Sequence, residues 1–239
     1  MIVLLTYDAP HRKTQDVAMR LLIAGKKFRV VAVPWEERKP RRFIYAHRPA
    51  EMTWPCEPIG DPGPFFEQFN IDYKVCEKGW LFEVLLGLDP ELVILGGAGI
   101  LPRAIVDGFR VLNVHPGLLP MCRGLDILKW TVLEGKYEVG VTAHLCDEHA
   151  DLGWRICQAV VPIYATDTFH GFAMRQYEFE IGQTVRAIDL LGNKTRERLT
   201  RIFALGTESR RRMPRSKEVD LLDAFEAYKV KFVKERISA

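Results

Sequence analysis

Residues 92–115 read LVILGGAGILPRAIVDGFRVLNVH, and the order of apolar and polar residues in that stretch decides the fold. Four apolar residues, Leu92 to Leu95, stop at the glycine pair Gly96-Gly97. A short helix-like segment from Pro102 to Val106 follows, and a second apolar run then ends at the polar Asn113 and His115. Two short strands, apolar on both faces and joined through a helix, make a parallel crossover unit. The alternation extends upstream. Ile2 to Thr6 is an apolar strand. Thr14 fits a helix N-cap ahead of the stripe Val17, Leu21 and Leu22, which runs to Gly25. Arg29 to Pro34 forms a second strand, residues 35 to 64 a long loop rich in Pro, Arg and Glu, Phe65 to Phe69 a short helix, Ile71 to Val75 a strand and Leu81 to Leu86 a helix. Downstream, Val139 to Leu145 is strand-like. A long helix is capped near Asp167 and striped by Phe169, Phe172, Tyr177, Ile181 and Ile188, and an amphipathic helix spans Asp220 to Arg236. The expected architecture is α/β: a Rossmann-like, mostly parallel sheet with flanking helices over residues 1–190, and a short helical C-terminal extension over 191–239.

At 239 residues, 48% hydrophobic and 27% charged, the composition is that of an ordinary globular protein able to bury one good core. A formal net charge of +3 does not by itself direct the chain to nucleic acid or to a membrane. No apolar stretch approaches the roughly 20 residues that span a bilayer. MIVLLTYDAP has no basic segment ahead of its short apolar run, so no secretory signal is expected. Cys56, Cys76, Cys122, Cys146 and Cys157 form no CxxC pair, which fits reduced thiols in a cytoplasmic protein. His144 and His149 flank Asp147 without the spacing of a helical ligand pair, so no metal is expected. Arg210-Arg211-Arg212, with Arg215 and Lys217 beyond, are expected on a solvated face or a dimer edge.

Strands of an α/β sheet that stop in polar side chains mark a ligand site. Asn113 and His115 lie two residues apart, so on an extended segment they point to the same side. The strand ending at Leu145 leads into the loop Cys146-Asp147-Glu148-His149-Ala150-Asp151. Acyl transfer from an amide-like donor to an amine needs three groups. Asn113 supplies a donor for the oxyanion, His115 a base and acid that works near neutral pH, and Asp151 a carboxylate that orients the imidazole or relays a proton.

Asn113-x-His115-Pro116-x-Leu118-Leu119-Pro120-x-x-Arg123-Gly124, followed by Asp151-x-Gly153, resembles the signature of the folate-dependent formyltransferases. Gly99-Ile100-Leu101-Pro102 upstream is similar to the turn that lines the family's pterin pocket, and Gly140-Val141-Thr142 with the 146–151 loop to the strand and loop before its aspartate. The resemblance spans roughly residues 85 to 190. It implies 10-formyltetrahydrofolate as co-substrate and Asn113, His115 and Asp151 as the catalytic set. It further implies folate contacts at Gly99, Ile100, Leu101, Cys146, Asp147, Glu148 and His149, and acceptor contacts at Pro116, Gly117, Leu118 and Arg123. Gly117 departs from the pattern, since several members carry serine there.

The family's branches differ in acceptor. The glycinamide ribonucleotide branch places a glycine- and serine-rich phosphate loop after the first strand, where this chain has Tyr7-Asp8-Ala9-Pro10-His11-Arg12-Lys13. The methionyl-tRNA branch adds a C-terminal β-barrel, whereas the residues after Gly192 here suggest helix. The deformylating hydrolases carry a further domain ahead of the catalytic one. The pattern is most similar to the branch that formylates nucleotide-linked 4-amino sugars for lipopolysaccharide O-antigen, with Arg12 and Lys13, or Arg41 and Arg42, as diphosphate ligands. Transfer to glycinamide ribonucleotide or methionyl-tRNA, and non-catalytic folate or nucleotide binding, are the alternatives. A homodimer is compatible with the sequence.

Overall fold

The computed structural model describes residues 1–35, 60–204 and 209–237. Strands β1 (Ile2–Asp8), β2 (Phe28–Pro34), β3 (Tyr73–Val75), β4 (Leu92–Leu95), β5 (Val111–His115), β6 (Gly140–Cys146), β7 (Gly153–Val160) and β8 (Thr200–Ile202) form one sheet in the order β3-β2-β1-β4-β5-β6-β7-β8. The pairs from β3 to β5 are parallel, and β5–β6, β6–β7 and β7–β8 are antiparallel. The expected Rossmann-like, mostly parallel sheet is therefore present, with an antiparallel flank that the apolar pattern does not show.

Both faces of the central parallel strands are covered, which is why β1, β2 and β4 are largely apolar. On one face Ile2 and Leu4 of β1 pack with Val17 and Leu21 of helix α1 (Arg12–Ile23) and with Tyr177 and Ile181 of helix α6 (Phe169–Leu191). On the other, Val3 and Leu5 meet Leu81 and Leu85 of α3 (Leu81–Leu88) and Ile105 of α4 (Arg103–Gly108). Helix α2 (Pro62–Glu67) seats the fully buried Phe66 under β3, its ring stacked on Tyr73.

Thr14 is not a cap. The N-cap position of α1 is His11, and Thr14 sits a turn inside, its hydroxyl 2.5 Å from that of Thr6 and 2.8 Å from His11 Nδ1. The polar end of β1 draws it inward. Helix α6 is capped by Thr168, whose hydroxyl accepts from the Gly171 amide. The neighbouring Asp167 instead holds Arg175 through two contacts of 2.7 and 2.8 Å.

The C-terminal residues are built into the fold. β8 extends the sheet edge, and α8 (Leu221–Ile237) packs Phe225, Tyr228 and Phe232 against Phe169, Phe172 and Leu128, the last on α5 (Ile127–Glu134). Lys129 of α5 and Glu218 of α7 (Arg215–Glu218) make a fully buried ion pair of 2.9 Å. No helix among the described residues is long and apolar enough to cross a membrane.

Candidate active site

Beyond the ends of β4 and β5, beside β6, lies a cavity of about 630 Å³, where open α/β sheets bind ligands. Its floor is set by register. Across the antiparallel pair, Asn113 lies opposite His144 and His115 opposite Thr142, so all four side chains share one face. In β7, Ile156 is an extra residue between partners of Ala143 and His144, a bulge of the kind that re-aims side chains beside a site.

Two histidines take different states here. His144 Nδ1 lies 3.0 Å from the Leu152 carbonyl and its Nε2 3.3 Å from Asn113 Nδ2. A carbonyl only accepts, so Nδ1 carries the hydrogen and Nε2 accepts from the Asn113 amide. Burial, reinforced by the nearby His115 ring, lowers the His144 pKa to about 4 and keeps it neutral. His115 Nε2 lies 2.8 Å from the Cys122 carbonyl and therefore donates to it. Its Nδ1 faces Asp151 Oδ1 at 3.1 Å, so any proton the ring gains or gives up at Nδ1 passes by way of that carboxylate.

Asp151 sits in the left-handed region at φ 59, which Asp tolerates better than most residues. Burial raises its pKa, but the His115 ring and the Gly124 amide, donating at 2.8 Å to Oδ2, outweigh that and hold it down at about 2. Gly153 closes the same turn at φ 123, where a Cβ would lie 1.9 Å from the Leu145 carbonyl oxygen. No side chain fits there.

The segment after His115 is folded back by a hydroxyl hub. Thr142 donates to the Gly117 carbonyl at 2.7 Å and accepts from the Leu119 amide and from Gln158, at 3.0 and 2.9 Å. Leu119-Pro120 is cis. A Cβ on Gly117 would stand 2.5 Å from the Cys122 carbonyl oxygen and 3.0 Å from His115 Nε2. A side chain at this position would therefore crowd the contact between that carbonyl and the imidazole.

The remaining expected residues divide. Gly99, Ile100, Leu101, Pro116 and Cys146 to His149 line the cavity. The Asp147 carboxylate is engaged within its own loop, accepting from the His149 amide at 2.8 Å and from Arg201 of β8 at 2.7 Å, while Glu148 pairs with Arg103 at 3.1 Å. Gly117 and Leu118 lie beneath the wall, and the Leu118 side chain fills the space above Gly140. Arg123 is buried and braces the loop by donating to the Ala150 carbonyl at 2.9 Å. Arg12 pairs with Asp16 at 2.9 Å away from the cavity lining, and Lys13 lines the cavity but pairs with Glu180 at 2.7 Å. Neither is set out as a diphosphate ligand. Arg41 and Arg42 lie outside the described residues. Burial raises the thiols of Cys122 and Cys146, the latter to about 12 with the help of Asp151 and Asp147, so neither is a nucleophile.

Two features escape sequence reasoning. His144 orients the Asn113 amide, which only the β5–β6 register reveals. Ser209 to Arg212 form part of the cavity wall rather than a face away from the site. Gly124 carried a signal for the latter, since its φ of 100 and a would-be Cβ 2.1 Å from the Arg210 carbonyl oxygen mark a close crossing of chains.

The family model described as formyl transferase matches residues 59–188, more than half of the chain. The chain belongs to that family. Among curated relatives, the methionyl-tRNA formyltransferase of Geobacillus thermodenitrificans is 37% identical over 160 residues, 65% of this chain and 48% of that protein. The trifunctional purine biosynthetic protein adenosine-3 of Drosophila melanogaster is 38% identical over 86 residues, 36% of this chain and 6% of that protein. The chain spans about half or less of the length of the curated relatives it matches. A solved sugar N-formyltransferase from a Shewanella species superposes with a TM-score of 0.56 at 19% identity, over 88% of this chain and 75% of that one. Glycinamide ribonucleotide transformylase 1 from Symbiobacterium toebii does so with 0.59 at 22%, over 85% and 94%. At these identities the likeness establishes the shared fold.

Proposed function

We propose that the protein moves the formyl group of 10-formyltetrahydrofolate to the amino group of a nucleotide-linked 4-amino sugar, in the cytoplasm, on the route to lipopolysaccharide O-antigen. Residues 1–190 act as the catalytic domain and 191–239 as its extension. The observation that carries the chemistry is the joint placement of Asn113, on neutral His144, and His115, on ionised Asp151.

The acceptor amine attacks the formyl carbon and an oxyanion develops. Asn113 uses one N–H on His144 and offers the other to that oxygen, an interaction worth roughly 10²–10³ in rate. The Asp151 carboxylate relays the amine proton to His115 Nδ1, and the pair returns it to the folate nitrogen as the old C–N bond breaks. Asp151 steadies the ring while it carries the extra charge. Ile100, 84% exposed, lines the cavity with Leu101, Leu95 and Val106 beside the polar 146–151 loop, a surface suited to a flat, hydrogen-bonding pterin.

For the acceptor, the segment after β1 that would carry a glycine-rich phosphate loop instead places His11 edge-on to Tyr7, near the end of β1, whose ring also meets Trp35, just after β2. That supports a sugar nucleotide over glycinamide ribonucleotide, and solved relatives named as sugar N-formyltransferases support it further. Curated relatives named methionyl-tRNA formyltransferase, 33–38% identical, make that acceptor the second reading. The test supplies 10-formyltetrahydrofolate with GDP-, dTDP- or UDP-linked 4-amino-4,6-dideoxy sugars, glycinamide ribonucleotide or methionyl-tRNA, and follows formylation by mass spectrometry. A sugar nucleotide should be formylated. His115→Ala should abolish turnover while folate binding stays within about tenfold. Formylation confined to glycinamide ribonucleotide or tRNA would overturn the acceptor, and full turnover by His115→Ala the roles.

A further inference from the structure

We propose that Arg211 binds the phosphate of the acceptor, presented to the cavity by a strap of chain, residues 209–213, that is locked onto the loop after β5. This rests on the reading of the acceptor as phosphate-bearing. The strap lies beyond the residues matched by the family model.

Its backbone is fixed from both sides. The Arg210 amide donates to the Arg123 carbonyl at 2.9 Å, and the Leu125 amide donates to the Arg210 carbonyl at 2.8 Å. Trp130 Nε1 donates to the Arg211 carbonyl at 2.8 Å, and the Met213 amide to Asp126 Oδ2 at 2.9 Å. Met213 itself is fully buried. A segment held by four hydrogen bonds has already lost most of its backbone freedom, so a ligand bound on it is not charged with ordering the chain.

The three arginines are not equivalent. Arg210 pairs with Glu134 and lies over the Trp130 ring, 5.2 Å from its centroid. Arg212 faces Asp126 at 3.8 Å. Arg211 lines the cavity and is exposed, and among the described residues its guanidinium has no carboxylate or ring partner. The carboxylates lining the cavity already face a cation or His115, and its lysine, Lys13, already faces Glu180. Among the described residues lining the cavity, Arg211 is thus the cation left over. A guanidinium in that position suits a phosphate, which it meets through paired N–H donors.

The test measures binding by calorimetry and thermal shift, using GDP, dTDP, UDP, pyrophosphate and glycinamide ribonucleotide, with the phosphate-free nucleosides alongside. Wild type should bind at least one diphosphate and not its nucleoside. Arg211→Gln should melt with wild type when unliganded and weaken phosphate binding about 10- to 100-fold, the usual effect of losing a charged hydrogen bond. Arg211→Lys should recover part of the loss. Lys217→Gln, a neighbouring cation on the outer side of Trp130, should bind as wild type does. Nucleotide binding that Arg211→Gln leaves within twofold, or that Lys217→Gln weakens equally, overturns the assignment and leaves the sugar-nucleotide reading intact. Binding of glycinamide ribonucleotide alone, lost in Arg211→Gln, supports the assignment and overturns that reading instead. Failure of every phosphate ligand to bind overturns the assignment.

Discussion

His144→Gln isolates one titration that the fold pushes far from its ordinary value. Burial, with the His115 ring beside it, lowers the His144 pKa from 6.5 to about 4. The unfolded chain therefore binds the proton first as the pH falls. The stability this group contributes is complete above pH 6.5 and is lost progressively toward pH 4. At about 1.4 kcal/mol per pH unit, the loss is about 2 kcal/mol at pH 5 and about 3 kcal/mol near pH 4. A protonated ring also turns Nε2 from acceptor to donor against the Asn113 amide. The assay is urea unfolding followed by tryptophan fluorescence at pH 7.5, 6 and 5, wild type against His144→Gln, whose amide does not titrate. Wild type should lose about 2 kcal/mol more than the variant between pH 7.5 and 5. Asp151 does not confuse the comparison. Its depressed pKa stabilises the fold above 3.8, and that contribution fades only as the pH falls toward about 2. Equal losses in the two proteins, within about 0.5 kcal/mol, would refute the buried neutral imidazole.

Asp151→Asn keeps a residue that tolerates φ 59 and should fold normally while kcat falls by about 10²–10⁴; a fall of less than tenfold would remove Asp151 from the proposed proton path. Gly117→Ser should cost about 1–3 kcal/mol by overpacking and should also lower kcat, because its Cβ meets the Cys122 carbonyl oxygen that accepts from His115. Wild-type melting and turnover in that variant would show that the loop relaxes freely. Lys129→Met should destabilise by about 3–5 kcal/mol, since it leaves Glu218 charged and buried, and adding Glu218→Leu should restore most of the loss. No recovery in a denaturant titration of the double variant would contradict the pairing seen between α5 and α7.

The parallel half of the sheet was legible because β1, β2 and β4 are short, largely apolar runs with polar or glycine-containing segments between them. Asn113 and His115 stood out for the same reason, as polar residues ending such a strand. The antiparallel flank was not legible. β7 begins at Gly153, two residues after a left-handed aspartate, and that start looks like the continuation of a loop. Only the bulge at Ile156 and the register of Asn113 with His144 bring the second imidazole to the amide. Thr14 satisfied the local pattern of a cap, and a contact with Thr6 on another element overrode it. Charge was least legible of all. Arg12 and Lys13 look available in the sequence, yet both meet carboxylates in the fold, while Arg211 within an ordinary-looking basic run meets none among the described residues. Pairing of charges is a property of distant chain segments, and no spacing rule along the chain encodes it.

The lock between the loop after β5 and the 209–213 strap also bears on the order in which the molecule assembles. Asp126 and Met213, 87 residues apart, are joined by a hydrogen bond, and Lys129 reaches Glu218 across 89. Contacts of such long range close late, because a large loop must be ordered before they return any stabilisation. During synthesis the parallel half of the sheet, residues 2–115, leaves the ribosome well before the strap exists. The walls that hold Asn113 and His115 can therefore form first, and the cavity is completed only when nearly all of the described chain is available. A premature stop before Ser209 should yield a protein with much of its sheet and an unfinished site.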